Sequence, residues 1–143
     1  CLGCIEADAR KRHVHIEYKT SELPDVMADR LMLEQVLLNI IRNGMDAMSE
    51  LPEHQRILRI DTLCHESELE ILVCDQGCGM TAEVKEKIFT AFFTTKPEGM
   101  GIGLSICRSI IEFHRGRLWA ADNTQSATGN GTIFHITLPL EKT

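Results

Sequence analysis

The chain has no surplus of positive charge, no long apolar run and neither of the two commonest glycine signatures for holding a nucleotide. Its 15 Lys and Arg stand against 21 Asp and Glu, a formal charge of −6. That balance excludes a surface that grips a nucleic-acid backbone through concentrated positive charge, although a small polyanion held by local backbone donors stays open. No apolar stretch approaches the roughly 18 residues that cross a bilayer. The early charges Glu6, Asp8 and Arg10 are unlike a signal peptide. The expected location is the cytoplasm, with no membrane contact by this domain and any anchor lying elsewhere in a longer protein. G-x-G-x-x-G after a strand and G-K-[ST] are both missing, so neither a dinucleotide fingerprint nor a P-loop is present. The six cysteines include Cys1-x-x-Cys4 and Cys74-x3-Cys78, spacings that match no familiar zinc finger. Reduced, packed thiols are the better reading. With no internal repeat and no linker, residues 1–143 read as one domain, large enough to bury roughly 70% of its unfolded surface.

What is present alternates between strand and helix patterns. "HVHIEYK" (13–19) predicts a first strand, and a long helix follows over about 29–48, with Asp29 as its N-cap. "RILRIDTLC" and "LEILVC" flank the polar tip "HESE" and predict an antiparallel hairpin. A helix over about 81–89 opens at Thr81, and another over about 103–115 stops at Gly116. "RLWAA" and "TIFHITLPL" supply two more strands. On the last of these Phe134, Ile136 and Leu138 face one way and Ile133, His135 and Thr137 the other, as in a sheet covered on one side. The architecture expected is a two-layer α+β sandwich, with a mixed, mostly antiparallel sheet and three main helices on one face.

Four segments carry chemistry. In "LEQVLLNIIRNGMDAM" the residues Gln35, Asn39, Asn43 and Asp46 share one stripe of the helix. Such a stripe is either solvent-facing or a set of amide oxygens for a hard cation that keeps its waters and uses substrate phosphates as further ligands, which describes Mg²⁺. "ILVCDQGCGM" ends an apolar strand in Asp75, Gly77 and Gly79. This is either an ordinary tight turn or a carboxylate at a pocket mouth that accepts from an exocyclic amine, with bare backbone beneath a flat ring. "IFTAFFTTKPEGMGIGLS" puts phenylalanines before a glycine-rich stretch, as in a lid hinged on a packed end, mobile from about Thr94 to Met100. In it Lys96 can meet a phosphate as a point charge. Gly99, Gly101 and Gly103 then lead into a helix N-terminus, whose free amides and dipole favour an anion.

Taken in order, "NIIRNGMDA" (39–47), "DQGCGM" (75–80), "FTAFFTTK" (89–96), "GMGIGLS" (99–105) and "GNGT" (129–132) resemble the N, G1, F, G2 and G3 boxes of histidine-kinase ATP-binding catalytic domains. The glycine segment is most similar to sensor kinases of the nitrogen-regulation and oxygen-sensing type. The resemblance implies the Bergerat fold shared with gyrase, heat-shock and mismatch-repair ATPases. It implies ATP and Mg²⁺ as cofactors, with Asn43 as the metal ligand and Asn39 beside it. Asp75 would take the adenine amine, Gly77 and Gly79 would line the base, and Thr132 would support Asp75 through water. Gly101, Gly103 and Leu104 would meet the phosphates, with Gly99 and Lys96 alongside. Two departures from the pattern, Gly44 and Arg115, are expected to stay clear of the ligand shell.

The six histidines, 13, 15, 54, 65, 114 and 135, include none in a dimerisation helix followed by an acidic residue. The resemblance therefore implies the catalytic module of a longer sensor kinase, whose acceptor histidine lies on a separate dimerisation domain and whose downstream partner is a response regulator. An ATP hydrolase of the same fold would carry a glutamate base where this chain has Asn39, and an amide cannot take a proton from water. A nucleotide-sensing pseudokinase and a serine kinase acting on an anti-sigma partner are the remaining readings.

Overall fold

The computed structural model describes residues 2–19, 30–90, 103–124 and 130–140. Its elements run α1 (Leu2–Lys11), β1 (His15–Lys19), α2 (Arg30–Ala47), β2 (Ile57–Cys64), β3 (Glu68–Cys74), α3 (Ala82–Lys87), α4 (Gly103–Phe113), β4 (Arg117–Asp122) and β5 (Thr132–Pro139), with a 3₁₀ turn at Glu53–Gln55. The five strands form one sheet in the order β1-β2-β3-β5-β4. β1 pairs with β2 in parallel and the other three pairings are antiparallel. A parallel neighbour cannot be reached by a tight turn, and α2 lies in the connection between β1 and β2. The expected sandwich is thus the one observed. The expected N-cap at Asp29 lies outside the described residues.

α2 is apolar nearly all round because it is the middle of the sandwich. Val36, Ile40, Ile41, Met45 and Met48 are almost wholly buried and share one core with Leu58 of β2, Val73 of β3, and Phe134, Ile136 and Leu138 of β5. α4 adds Cys107 and Ile111 to that core and packs against α2 and β4. α3 is short and is set by its cap: the Thr81 hydroxyl oxygen accepts from the Val84 N–H at 3.2 Å. Phe89, just beyond it, meets Phe134 edge-on at 6.4 Å between centroids.

The open face of the sheet carries the alternate residues. There Trp119 stacks on His135 with the rings 4.8 Å apart, and the Glu70 carboxylate lies between His135 and His65. Thr137, on this same face, is only 2% exposed. Its cross-strand neighbours Glu70 and Arg117 flank it in register.

One element goes beyond the sequence expectation. α1 packs on β1 and α2, and Arg12, just past its end, forms ion pairs with Asp46 of α2 and Asp8 of α1. Asp46 thereby leaves the polar stripe to serve as a tie between elements. Arg56 strengthens the same corner by donating to the carbonyls of Arg12, Ser49 and Leu51.

Candidate functional site

Asp75 follows β3 directly and is 2% exposed. Its backbone N–H donates to the Thr132 carbonyl at 3.0 Å, extending the β3–β5 pairing by one residue. Its side chain is pinned through a single oxygen, Oδ1, which accepts from the Gly77 N–H at 2.9 Å and the Thr132 N–H at 3.2 Å. Both described bonds leave Oδ2 for an outside donor. Burial raises the carboxyl pKa to about 6, and the two amide bonds pull it partly back. The support expected from Thr132 is thus a direct main-chain bond.

Three glycines fit around this carboxylate for three different reasons. A Cβ on Gly77 would lie 2.4 Å from the Ala47 carbonyl oxygen, so the turn closes only because glycine lets the end of α2 approach. A side chain at this position would point into the end of that helix. Gly79 has φ +74° and lies against Gly131, itself at φ +131° with its Cα face against the Asp75 carbonyl. Gly44, on α2, also lies close to the Asp75 side chain. A methyl there would sit 3.5 Å from Asp75 Cβ and 3.8 Å from Oδ2, so this face of α2 forms a wall of the carboxylate's niche.

Across α2 the amide of Asn39 turns to α4. Its Oδ1 would be 3.7 Å from a Cβ on Gly103, the first residue of α4. The N box and the start of the G2 helix therefore meet side by side, with Asn39, Gly103 and Leu104 all partly exposed. Asn43 lies one turn further along α2 and is likewise half-buried. Lys96, Gly99 and Gly101, together with the lid expected over 94–100, lie outside the described residues. A cavity of about 400 Å³ opens beside Gly79 and Gly131, walled by Met80, Thr81, Asn123 and Asn130. Asp75, Asn39 and Asn43 do not line it.

Sequence reasoning missed two supports. The Asn123 amide donates to the Asp75 carbonyl at 2.8 Å, while its own N–H reaches the Gly131 carbonyl, and nothing in an isolated "ADN" marks that role. Cys107, wholly buried in α4, ties that helix to α2 by donating its thiol hydrogen to the Val36 carbonyl at 3.9 Å. It reads in sequence as one more apolar position of an amphipathic helix.

The donor set suits a cation brought in with phosphates. No group of three or more His, Cys, Asp or Glu able to hold a metal exists among the described residues, so a cation here would depend on neutral amide oxygens, water and the ligand itself.

Comparison with known proteins follows the same lines. Residues 28–142 match the profile of the family described as histidine kinase-, DNA gyrase B-, and HSP90-like ATPase. Sensor protein FixL of Bradyrhizobium diazoefficiens is 41% identical over 134 residues, which is 93% of this chain and 26% of FixL. Sensor histidine kinase ZraS of Escherichia coli K12 is 32% identical over 99% of this chain and 29% of its own length. The chain thus spans little more than a quarter of these relatives. The catalytic domain of histidine kinase ThkA superimposes with a TM-score of 0.82 at 34% identity, covering 96% of this chain and 86% of that one. ThkA has also been solved in complex with the response regulator protein TrrA, matching at a TM-score of 0.78 and 31% identity over 96% of this chain and 37% of that one.

Proposed function

Since the chain belongs to the histidine kinase-, DNA gyrase B- and HSP90-like ATPase family, and within it to the catalytic domains of sensor histidine kinases, we propose that it binds Mg-ATP and donates the γ-phosphoryl group to a histidine on a separate dimerisation domain. The observation that carries this reading is the buried Asp75 carboxylate, held through Oδ1 by two amides with Oδ2 left over. That oxygen suits the exocyclic amine of adenine, because a charged acceptor strengthens the hydrogen bond. Asn39 meets Gly103 where α2 meets the start of α4, with Leu104 next along that helix and Asn43 one turn further along α2, and the unpaired amides of that helix start favour phosphate. Gly79 and Thr132 complete the frame of Asp75, and Gly77 acts by letting α2 close on it. Lys96, Gly99 and Gly101 are assigned to the phosphate side from sequence alone.

Asn43 would hold Mg²⁺, with Asn39 beside it. The ion, when bound, neutralises charge on the phosphates and aligns the transferred group. The chain's own contribution is to hold ATP by base and phosphates and to exclude other orientations. No described carboxylate stands where Asn39 does to activate water, which favours transfer over hydrolysis. The nucleophile then comes from another domain. Ile106 and Phe113 of α4 support this: they are 48% and 79% exposed, and with Met32 they flank a groove of about 450 Å³. A response regulator takes the phosphoryl group afterwards, as the ThkA complex with TrrA suggests by analogy.

Asn43→Ala tests the assignment. Transfer to a supplied dimerisation domain is expected to be lost, and the Mg²⁺ dependence of ATP binding with it, while metal-free ADP binding changes little. If transfer and metal dependence both persist in a folded mutant, Asn43 is a solvent-facing helix residue and the magnesium assignment fails.

A further inference from the structure

The pairing of β3 with β5 ends at Asp75 in an exchange of partners. In a hydrogen-bonded antiparallel pair the two facing residues trade both main-chain bonds, each N–H going to the other's carbonyl. Asp75 and Thr132 make only half of that trade. The Asp75 N–H reaches the Thr132 carbonyl at 3.0 Å, but the Thr132 N–H goes to the Asp75 side chain, to Oδ1, at 3.2 Å. The main-chain carbonyl of Asp75 thereby loses its strand partner.

A buried carbonyl needs a donor, and Asn123 provides it. Its side-chain Nδ2 donates to the Asp75 carbonyl at 2.8 Å; because a carbonyl only accepts, the nitrogen end of the amide must face it. Asn123 is itself buried. Its backbone N–H donates to the Gly131 carbonyl at 3.0 Å, one residue beyond the β4–β5 register. Gly131 makes room for the approach, since a Cβ there would stand 2.2 Å from the Asp75 carbonyl oxygen. Without the Asn123 amide, the donor that strand geometry offers this oxygen is the Thr132 N–H, the same group that holds Oδ1.

We propose that Asn123 is a positioning residue that sets base specificity: by occupying the Asp75 carbonyl, it releases the Thr132 N–H to the carboxylate and so fixes the direction of Oδ2. This rests on the function proposed above, in which Oδ2 meets the exocyclic amine of adenine. With the Gly77 and Thr132 amides both on Oδ1, the carboxylate is held against turning about its Cβ–Cγ bond. Oδ2 is then presented beside Gly44, where a Cβ would stand 3.8 Å from it. Held by Gly77 alone, the carboxylate swings, and its alignment with a purine amine is lost.

The test uses Asn123→Leu, which keeps similar volume, and Asn123→Ala, which is smaller; neither side chain can donate. In the nucleotide-free parent, the amide proton signals of Gly77 and Thr132 are expected to shift together in NMR spectra as the pH passes through about 6, where Asp75 takes up its proton. In both variants the Gly77 signal should still move while the Thr132 signal stays still. The second readout is the ratio of affinities for ATP and for inosine triphosphate, which carries oxygen in place of the amine. That ratio is expected to fall about two- to tenfold in the variants, the weight of one hydrogen bond. It should fall no further when Asn123→Leu is added to Asp75→Asn.

An Asn123 that only supports the fold would lower the melting temperature and weaken both nucleotides alike, leaving the ratio unchanged. That unchanged ratio in a folded variant overturns the proposal, as does a Thr132 signal that ignores the Asp75 titration in the parent or still follows it in the variants. A parent that binds ATP and inosine triphosphate equally sinks the adenine reading instead, and the Thr132 signal alone then decides whether Asn123 frees that amide.

Discussion

Asp75 in the folded chain has its pKa raised from an ordinary 3.8 to about 6 by burial. A carboxyl whose folded pKa lies above its unfolded value binds its proton more tightly when folded. Its contribution is complete below about pH 4 and is lost as the pH rises through about 6. The shift corresponds to about 3 kcal/mol. Adenine binding has the opposite sign, because an amine donor is best met by the ionised oxygen. Asp75→Asn should therefore raise the melting temperature of the nucleotide-free chain, by more at pH 7 than at pH 5, since asparagine can still accept the Gly77 and Thr132 amides. The same mutant should bind ATP about ten- to a hundredfold more weakly, having exchanged a charge-assisted bond of roughly 1.5–3 kcal/mol for a poorer one. Calorimetric melts at the two pH values, alongside nucleotide titrations, measure both effects. A mutant-minus-parent difference independent of pH would contradict the buried-charge account.

Where α4 stops, the chain turns through Arg115 at φ +63°. The Gly116 N–H reaches back to the Ile111 carbonyl and the Arg115 N–H to that of Glu112, each at 2.9 Å. This is the usual helix-ending turn, with arginine in the left-handed position that favours glycine. Arg115→Gly should stabilise the chain by roughly 1 kcal/mol, seen as a melting temperature higher by about 3 °C. An unchanged or lower value would mean that the arginine side chain compensates for its backbone. The departure at 115 was legible in the sequence, as were the β2–β3 hairpin and the G1 turn, because each is written in adjacent residues. α1 was not legible: "LGCIEADARK" has a glycine near its start, no acidic residue in its first turn and a weak apolar face. It is held by contacts to β1 and α2 and by Arg12. One part of the frame of Asp75 escaped notice for a different reason. Asn123 comes from just beyond β4, and no local pattern announces a partner 48 residues away.

On the scale of the whole molecule, two kinds of contact differ in how far along the chain they reach. The β2–β3 hairpin closes over a tip of three residues, His65–Ser67, between Cys64 and Glu68. The niche around Asp75, by contrast, exists only once β5 has returned to β3 across a separation of 57 residues. Closing the larger loop costs more chain entropy and is not repaid until the strands pair. The niche should therefore be absent from the folding transition state. A ligand that needs it then lowers the native state alone and leaves the barrier top where it was. ATP is expected to slow unfolding in stopped-flow denaturant jumps while refolding rates stay constant, so that its protection appears as a longer native lifetime. A refolding limb that quickens with ATP would show that β3 and β5 meet early.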